Sequence, residues 1–229
     1  MNIMKDIPMD SKVLDVLSKN YRLTEHKVGE EGCFKAAGMK FETRLFEADG
    51  LGSVSIMKAK GFCGLMQMIT VVVNPFYVDA PLFSYDSIAA FGNHTTYIEI
   101  FDTTLSGKFD MTRLEEIRCQ YSEIPDKDVG SHWYDDMRIG TPICKITKKN
   151  RVAAVNELAC KYFSAYINNT LNCTACDEKA KRYKASIYSD GLLANGGPAT
   201  DPVKKAIGEE KTAYFFKNIL FATESNHNS

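Results

Sequence analysis

Apolar and polar residues alternate along much of the first half of the chain. In FETRLFE (41–47), Phe41, Thr43 and Leu45 fall on one side and Glu42, Arg44 and Phe46 on the other. That is the period of a strand with two unlike faces. SVSIMKA (53–59) alternates too, and TTYIEIFDTT (95–104) reads as a further strand. LMQMITVVV (65–73) is nearly continuous in its hydrophobicity, as a central strand covered on both faces is. Gly50, Gly52, Gly61, Gly64, Asn74-Pro75 and Gly92-Asn93 fall between these runs, where turns belong. Short connections between consecutive strands predict an antiparallel meander.

The second half changes period. DMTRLEEIRCQY (110–121) sets Leu114, Ile117 and Tyr121 at helical spacing, with Thr112 and Glu115 in the pattern of a capping box. Val152, Val155, Ala159, Tyr162, Phe163 and Tyr166 form an apolar stripe along 150–170. Residues 177–194 and 211–221 read as two further helices, separated by the loop-forming ANGGPATDP (194–202). The fold class that follows is α+β: an α/β/α sandwich, with a central antiparallel sheet flanked by helices on both faces, expected as one domain over 1–229.

Composition narrows the function classes. The 28 basic and 29 acidic residues leave a net charge of −1, which makes no electrostatic case for nucleic acid. The apolar run around Met68–Val73 is far too short to span a bilayer, so no membrane partner is expected. MNIMKDIPMDSK lacks the apolar stretch of a signal peptide, and the seven scattered cysteines fit reduced thiols, so the expected location is cytoplasmic. Cys173 and Cys176 form a CxxC that reads as a redox pair, half of a zinc site, or structural cysteine; no second ligand pair accompanies it, and no metal is expected. Lys145, Lys148, Lys149 and Arg151, and then Lys179, Lys181, Arg182 and Lys184, form basic clusters that read as solvated faces or as docking patches.

One carboxylate breaks the pattern. In NPFYVDAPLFSYDSIAAF (74–91), Asp86 stands where apolar neighbours call for core. It reads either as a surface aspartate on an edge strand or as a buried acid with altered chemistry. An aspartate ordinarily titrates near 3.9, and desolvation favours its neutral form.

Four stretches, in order, carry a resemblance. GEEKTAYFFKNILF (208–221) is similar to the closing helix of the ferredoxin-dependent bilin reductases, with Lys211 where that pattern has Trp. FETRLFEADGLGSVSIMKA (41–59), MQMITVVVNPFYVDAPLFSYDSIAA (66–90) and SHWYDDMRI (131–139) resemble earlier segments of the family, over roughly 41–221 in all. The red chlorophyll catabolite reductases share this fold. The resemblance implies reduction of an open-chain, biliverdin-like tetrapyrrole bound between the sheet and the C-terminal helices. It implies no bound cofactor, electrons from reduced ferredoxin or flavodoxin, and protons from the protein.

In that reading Asp86 is the principal proton donor. Asp201 is a possible second, or simply an N-cap ahead of Pro202. Met57, Thr70, Val72, Asn74, Phe83 and Phe216 are expected to line the pigment pocket. The sequence departs from the phycocyanobilin-forming members: Thr70 stands where they carry His, and Met57 or Lys58 where they carry a second acid. The expectation is therefore a two-electron reduction that leaves the 18-vinyl group intact. The alternatives are a non-catalytic protein that binds a linear tetrapyrrole or haem product, and, more distantly, a thiol protein using Cys173 and Cys176.

Overall fold

The computed structural model of the chain describes residues 9–148 and 151–224. Strands β1 (Leu23–His26), β2 (Cys33–Ala36), β3 (Met39–Ala48), β4 (Gly52–Gly61), β5 (Met66–Pro75), β6 (Leu82–Ala90), β7 (Asn93–Phe101) and β8 (Ile143–Lys148) form one antiparallel sheet. Its order is β1-β3-β4-β5-β6-β7-β8, and β2 also pairs with β3. β3, β4, β5 and β7 are strands that the alternation predicts, and β6 between the last two is one that only the family resemblance suggested. β1 and β2 share the outer edge of β3, one at each end. Each is only four residues long, too short for a period to show.

Helices cover both faces, so the α/β/α sandwich holds. On one face Val54, Ile56, Val71, Val73, Phe83, Tyr85, Ile98 and Ile100 are buried under α1 (Met9–Ser18), α2 (Thr112–Cys119) and α3 (Val152–Thr170). The apolar stripe on α3 is what meets them. Phe163 and Tyr166 lie 5.3 and 4.9 Å from the Phe83 ring, and the Tyr166 hydroxyl donates to the Pro81 carbonyl at 2.8 Å. Each such fully buried side chain contributes about 2–3 kcal/mol.

The other face packs Phe41, Met57, Ala59, Val72, Leu82 and Phe101 against α4 (Glu178–Asn195), α5 (Asp201–Ile207) and α6 (Glu209–Tyr214). The single helix expected over 211–221 is two pieces: α6 runs into a π-helical segment, Phe215–Leu220. Polar latches hold that segment down. Ser55 Oγ donates to the Ile219 carbonyl at 2.5 Å, Asn74 Nδ2 to Phe221 at 2.7 Å, and Arg182 Nη1 to Ala222 at 2.5 Å. Carbonyls released from regular helical bonding are thereby satisfied.

Two local expectations are corrected. The capping box at α2 does not form. Thr112 is the first helical residue, and its N–H donates to Asp110 Oδ1 at 2.9 Å, while Glu115 accepts from Thr141 N–H and from Arg118. Neither basic cluster is a continuous solvated patch. Lys145 is buried, bonded to the Ile124 carbonyl at 2.7 Å and to Asp126 at 2.9 Å. Lys181 and Arg182 are buried on the inner side of α4, and Lys149 lies outside the described residues. The CxxC follows α3, as its position suggests. Cys173 and Cys176 are half-buried free thiols, and burial pushes both up, away from thiolate chemistry.

Lys181 locks α4 onto the sheet. Its ammonium donates to the carbonyls of Ala80 (2.5 Å) and Thr103 (2.6 Å) and to the Thr103 hydroxyl (3.1 Å). Burial lowers its pKa to about 8 against the pull of Asp79. Lys181→Met leaves those acceptors dry and unpaired. It is expected to lower the unfolding free energy by about 2–4 kcal/mol in a urea titration, whereas Lys179→Met, on the exposed side, changes it by less than about 0.5 kcal/mol.

Candidate functional site

Strand register builds the site. The pairings Thr43↔Met57, Met57↔Thr70, Thr70↔Asp86, Asp86↔Tyr97 and Tyr97↔Cys144 make one transverse row across the sheet. All of these side chains point to the face shared with α4–α6, because residues opposite each other in an antiparallel pair share a face. The next row is Leu45-Ser55-Val72-Ser84-Glu99. Asp86 is therefore on a central strand, not an edge, and its inward position is fixed by parity.

Thr70 Oγ1 donates to Asp86 Oδ1 across the β5–β6 pair. The carboxyl keeps partial solvent access while lying among protein atoms, and this desolvation pushes its pKa up to about 6. The Thr70 hydrogen bond opposes the rise, and the nearby Glu99 carboxylate adds to it. Glu99 is two residues beyond Asp86's partner on β7, a diagonal neighbour at roughly 7–8 Å. Desolvation raises Glu99 as well, against Arg138, whose Nη1 donates to its Oε1 at 2.8 Å.

The segment 131–139 covers this end of the face. It is stitched to β7 by Asp102 N–H to the Met137 carbonyl (2.7 Å) and Ile139 N–H to the Ile100 carbonyl (2.9 Å). Arg138 pairs with Phe101 through an isolated bridge and extends its other guanidinium nitrogen to Asp135. His132 stacks on Tyr134 and approaches Asp135 at 3.6 Å. Tyr188 stacks on Phe101 at 4.0 Å and meets Trp133 and Tyr134. Trp133 seats on Gly191 of α4, where an added Cβ would meet the ring at 2.1 Å. Desolvation and Glu99 push Tyr134 up to about 12, so it stays a neutral hydrogen-bonding group. Met68, Asp86, Ile88, Tyr97 and Glu99 share this face and are each half-buried. They mark a cleft only in the sense of a strip of the sheet face that the helices leave partly open to solvent.

Of the residues expected to line a pocket, Met57, Thr70, Val72 and Asn74 share the face of Asp86, and Phe216 packs onto it from the π-helical segment. Asn74 is engaged in holding that segment. Phe83 is a correction. It lies three residues from Asp86, an odd separation on a strand, so it faces α3 in the opposite core. Asp201 is a second. It is the first residue of α5, with Thr200 as N-cap, and it is exposed beside the β2–β3 turn. β2 lies four strands from β6, roughly 19 Å at the usual strand spacing. Sequence reasoning missed Glu99, Arg138, Tyr134 and Tyr188. A signal existed for Glu99: the two-residue Phe91-Gly92 turn pairs Ala90 with Asn93 and so sets Glu99 next to Asp86.

Three surface cavities, of about 570, 620 and 560 Å³, lie elsewhere. The second lies between the β1–β3 edge on one side and Arg182, Tyr214 and Ile219 of the C-terminal helices on the other, and its lining residues His26 and Glu47 are paired at 3.3 Å. Asp86, Glu99, Arg138 and the aromatic cover line none of the three. Among the described residues no cluster of three metal-ligating side chains occurs.

Because Asp86 binds its proton more tightly in the folded chain than in the unfolded one, native stability falls as pH rises from about 4 to 6. Asp86→Asn is expected to remove that slope and to stabilise the fold at pH 7.5 by about 1–3 kcal/mol, read from urea melts at several pH values. Gly191→Ala is expected to unseat Trp133, red-shifting its fluorescence emission.

No protein-family model matches the chain, and no curated protein matches it in sequence. Among solved structures, that of phytochromobilin synthase from tomato, in complex with biliverdin, is similar. The TM-score is 0.70 at 12% identity, over 94% of this chain and 83% of that one. The fold is thus shared with that protein.

Proposed function

We propose that the protein reduces an open-chain tetrapyrrole of the biliverdin type, taking electrons singly from reduced ferredoxin or flavodoxin, with Asp86 as the proton donor. The observation that carries the reading is a carboxyl pushed up to about 6, on the inner face of a sheet, beside an aromatic-covered cleft. The fold likeness to a synthase crystallised with biliverdin supports the substrate class.

The chemistry follows from charge. An electron added to a conjugated pigment raises its basicity, and a proton must come from a nearby acid. Asp86 is partly protonated near neutrality and can give that proton. The carboxylate left behind is then stabilised by the Thr70 hydroxyl. Glu99, charge-paired with Arg138, keeps the proton affinity of Asp86 high. Between the two one-electron steps Asp86 reloads from solvent through the cleft, so two electrons and two protons saturate one double bond. Met68, Ile88 and Tyr97, half-buried beside Asp86, receive the pigment next to Tyr134, while Met57, Val72 and Phe216 pack beneath the helices alongside. With Thr70 and Met57 in place of a histidine and a second acid, the 18-vinyl group is left intact. Asp201, distant and exposed, is not assigned a proton.

Mixing the protein anaerobically with biliverdin, ferredoxin and a reducing system tests this. Absorbance is expected to shift on mixing, then bleach and move to the blue as electrons arrive, without phycocyanobilin as the main product. Asp86→Asn is expected to keep the mixing shift and slow the reduction by about 100-fold or more. Glu99→Gln removes a neighbouring negative charge, lowers the pKa of Asp86 and moves the rate profile to lower pH. A mixing shift with no change on reduction would instead indicate a pigment-binding protein. Replacing Cys173 and Cys176 with serine is expected to leave the rate unchanged.

A further inference from the structure

Three hairpin turns meet at one end of the sheet: β2–β3 at Ala37-Gly38, β4–β5 through Phe62–Leu65, and β6–β7 at Phe91-Gly92. β8 ends there too, with Lys148 opposite Asn93. These turns present apolar side chains to water. Phe62, Leu65 and Phe91 are 48%, 58% and 68% exposed. They form one patch. The rings of Phe62 and Phe91 are 6.2 Å apart, Phe62 lies over Gly38, and Phe91 N–H donates to the Leu65 carbonyl at 3.2 Å.

The backbone makes these residues harder to explain as filler. Phe62 and Phe91 hold φ of 51° and 48°, the left-handed region that glycine or asparagine occupies with least strain. A phenylalanine there is unfavourable twice, through backbone strain and through exposed apolar surface.

The charge around the patch has one dominant sign. Lys35, Lys40 and Lys60 are exposed and stand directly opposite one another across β2, β3 and β4. Like charges so placed repel. Lys148, also exposed, closes the other side. Of the carboxylates nearby, Glu42 is paired with Lys40 at 2.5 Å, and Asp201 shares a depression beyond the β2–β3 turn with Lys205. Lys60 lies two residues before Phe62, so the lysine row stands on the strands behind the apolar tips. Apolar groups ahead of cations suit a lipid interface, the former in the headgroup–acyl boundary and the latter at phosphate depth.

We infer that this end of the sheet docks on an anionic lipid surface, through Phe62, Leu65 and Phe91 at the tips and Lys35, Lys40, Lys60 and Lys148 behind them. The contact is peripheral: among the described residues no helix is long and apolar enough to cross a membrane.

Co-sedimentation of the full chain with phosphatidylcholine vesicles, with and without phosphatidylserine, tests the inference. Binding is expected on the anionic vesicles and to weaken with salt. The double variant Phe62→Asn/Phe91→Asn relieves the backbone strain, so its thermal melt should be unchanged or raised, while vesicle affinity falls at least about tenfold. Lys35→Glu/Lys60→Glu is expected to abolish the preference for phosphatidylserine. Wild-type protein left in the supernatant with both vesicles overturns the inference, as does unchanged binding by the phenylalanine variant. Loss in that variant of binding to an acidic protein, with no vesicle binding by the wild type, would assign the patch to protein docking and also overturn it. None of these readouts depends on what the Asp86 cleft does.

Discussion

The contact between the Thr70 hydroxyl and the Asp86 carboxyl, with Arg138 directed away from it, is the interaction on which the candidate site depends. Withdrawal from water raises the proton affinity of Asp86 by an amount near 3 kcal/mol for two pH units. A single hydrogen bond from a neutral hydroxyl contributes about 0.5–1.5 kcal/mol and does not reverse it. A guanidinium against a carboxylate opposes it more strongly, although burial still raises Glu99 beside Arg138. Here the guanidinium goes to Glu99 and Asp135, one row along the sheet, so Asp86 keeps only its hydroxyl partner and feels the residual negative charge of Glu99. The allocation of one arginine leaves Asp86 without a cationic partner.

The two faces of the sheet divide the labour of folding and chemistry. The face toward α3 is apolar along the central strands, with Ile69, Val71, Val73, Phe83 and Tyr85, and it carries the larger core. The face toward α4–α6 interleaves Ser55, Thr70, Asn74, Ser84 and Asp86 with Met57, Val72 and Leu82. Buried polar groups are costly unless bonded. Ser55 and the Asn74 amide nitrogen meet that demand by holding carbonyls in and just after the π-helical segment, and Thr70 meets it at Asp86. A helix that had bonded all its own carbonyls would leave Ser55 and Asn74 without these acceptors. The irregular C-terminal segment and the polar sheet face thus require each other.

The alternation in 41–59 and the long stripe on α3 made the sandwich legible, because burial on one face imposes its period on the sequence. Asp86 was legible as an anomaly for the same reason. The failures share a different cause. Phe83 looked like pocket lining because it is close to Asp86 in sequence, yet an odd separation on a strand puts it on the other face. Lys145, Lys181 and Arg182 looked solvated because charge ordinarily faces water, and each is held inside by main-chain carbonyls. Asp201 was located by a local pattern, and a local pattern does not report how far a helix start lies from a strand.

The sequence by itself determined the class of fold, the strands β3, β4, β5 and β7, and the presence of one carboxylate among core residues, since each is written in local periodicity. Only the tertiary structure decided what surrounds that carboxylate. Glu99, Arg138, Tyr134 and Tyr188 come from a neighbouring strand, a connecting segment and a distant helix. The physical reason is that desolvation and Coulomb interaction depend on distance through space. That distance is set by strand register and helix docking, which no stretch of the chain encodes alone.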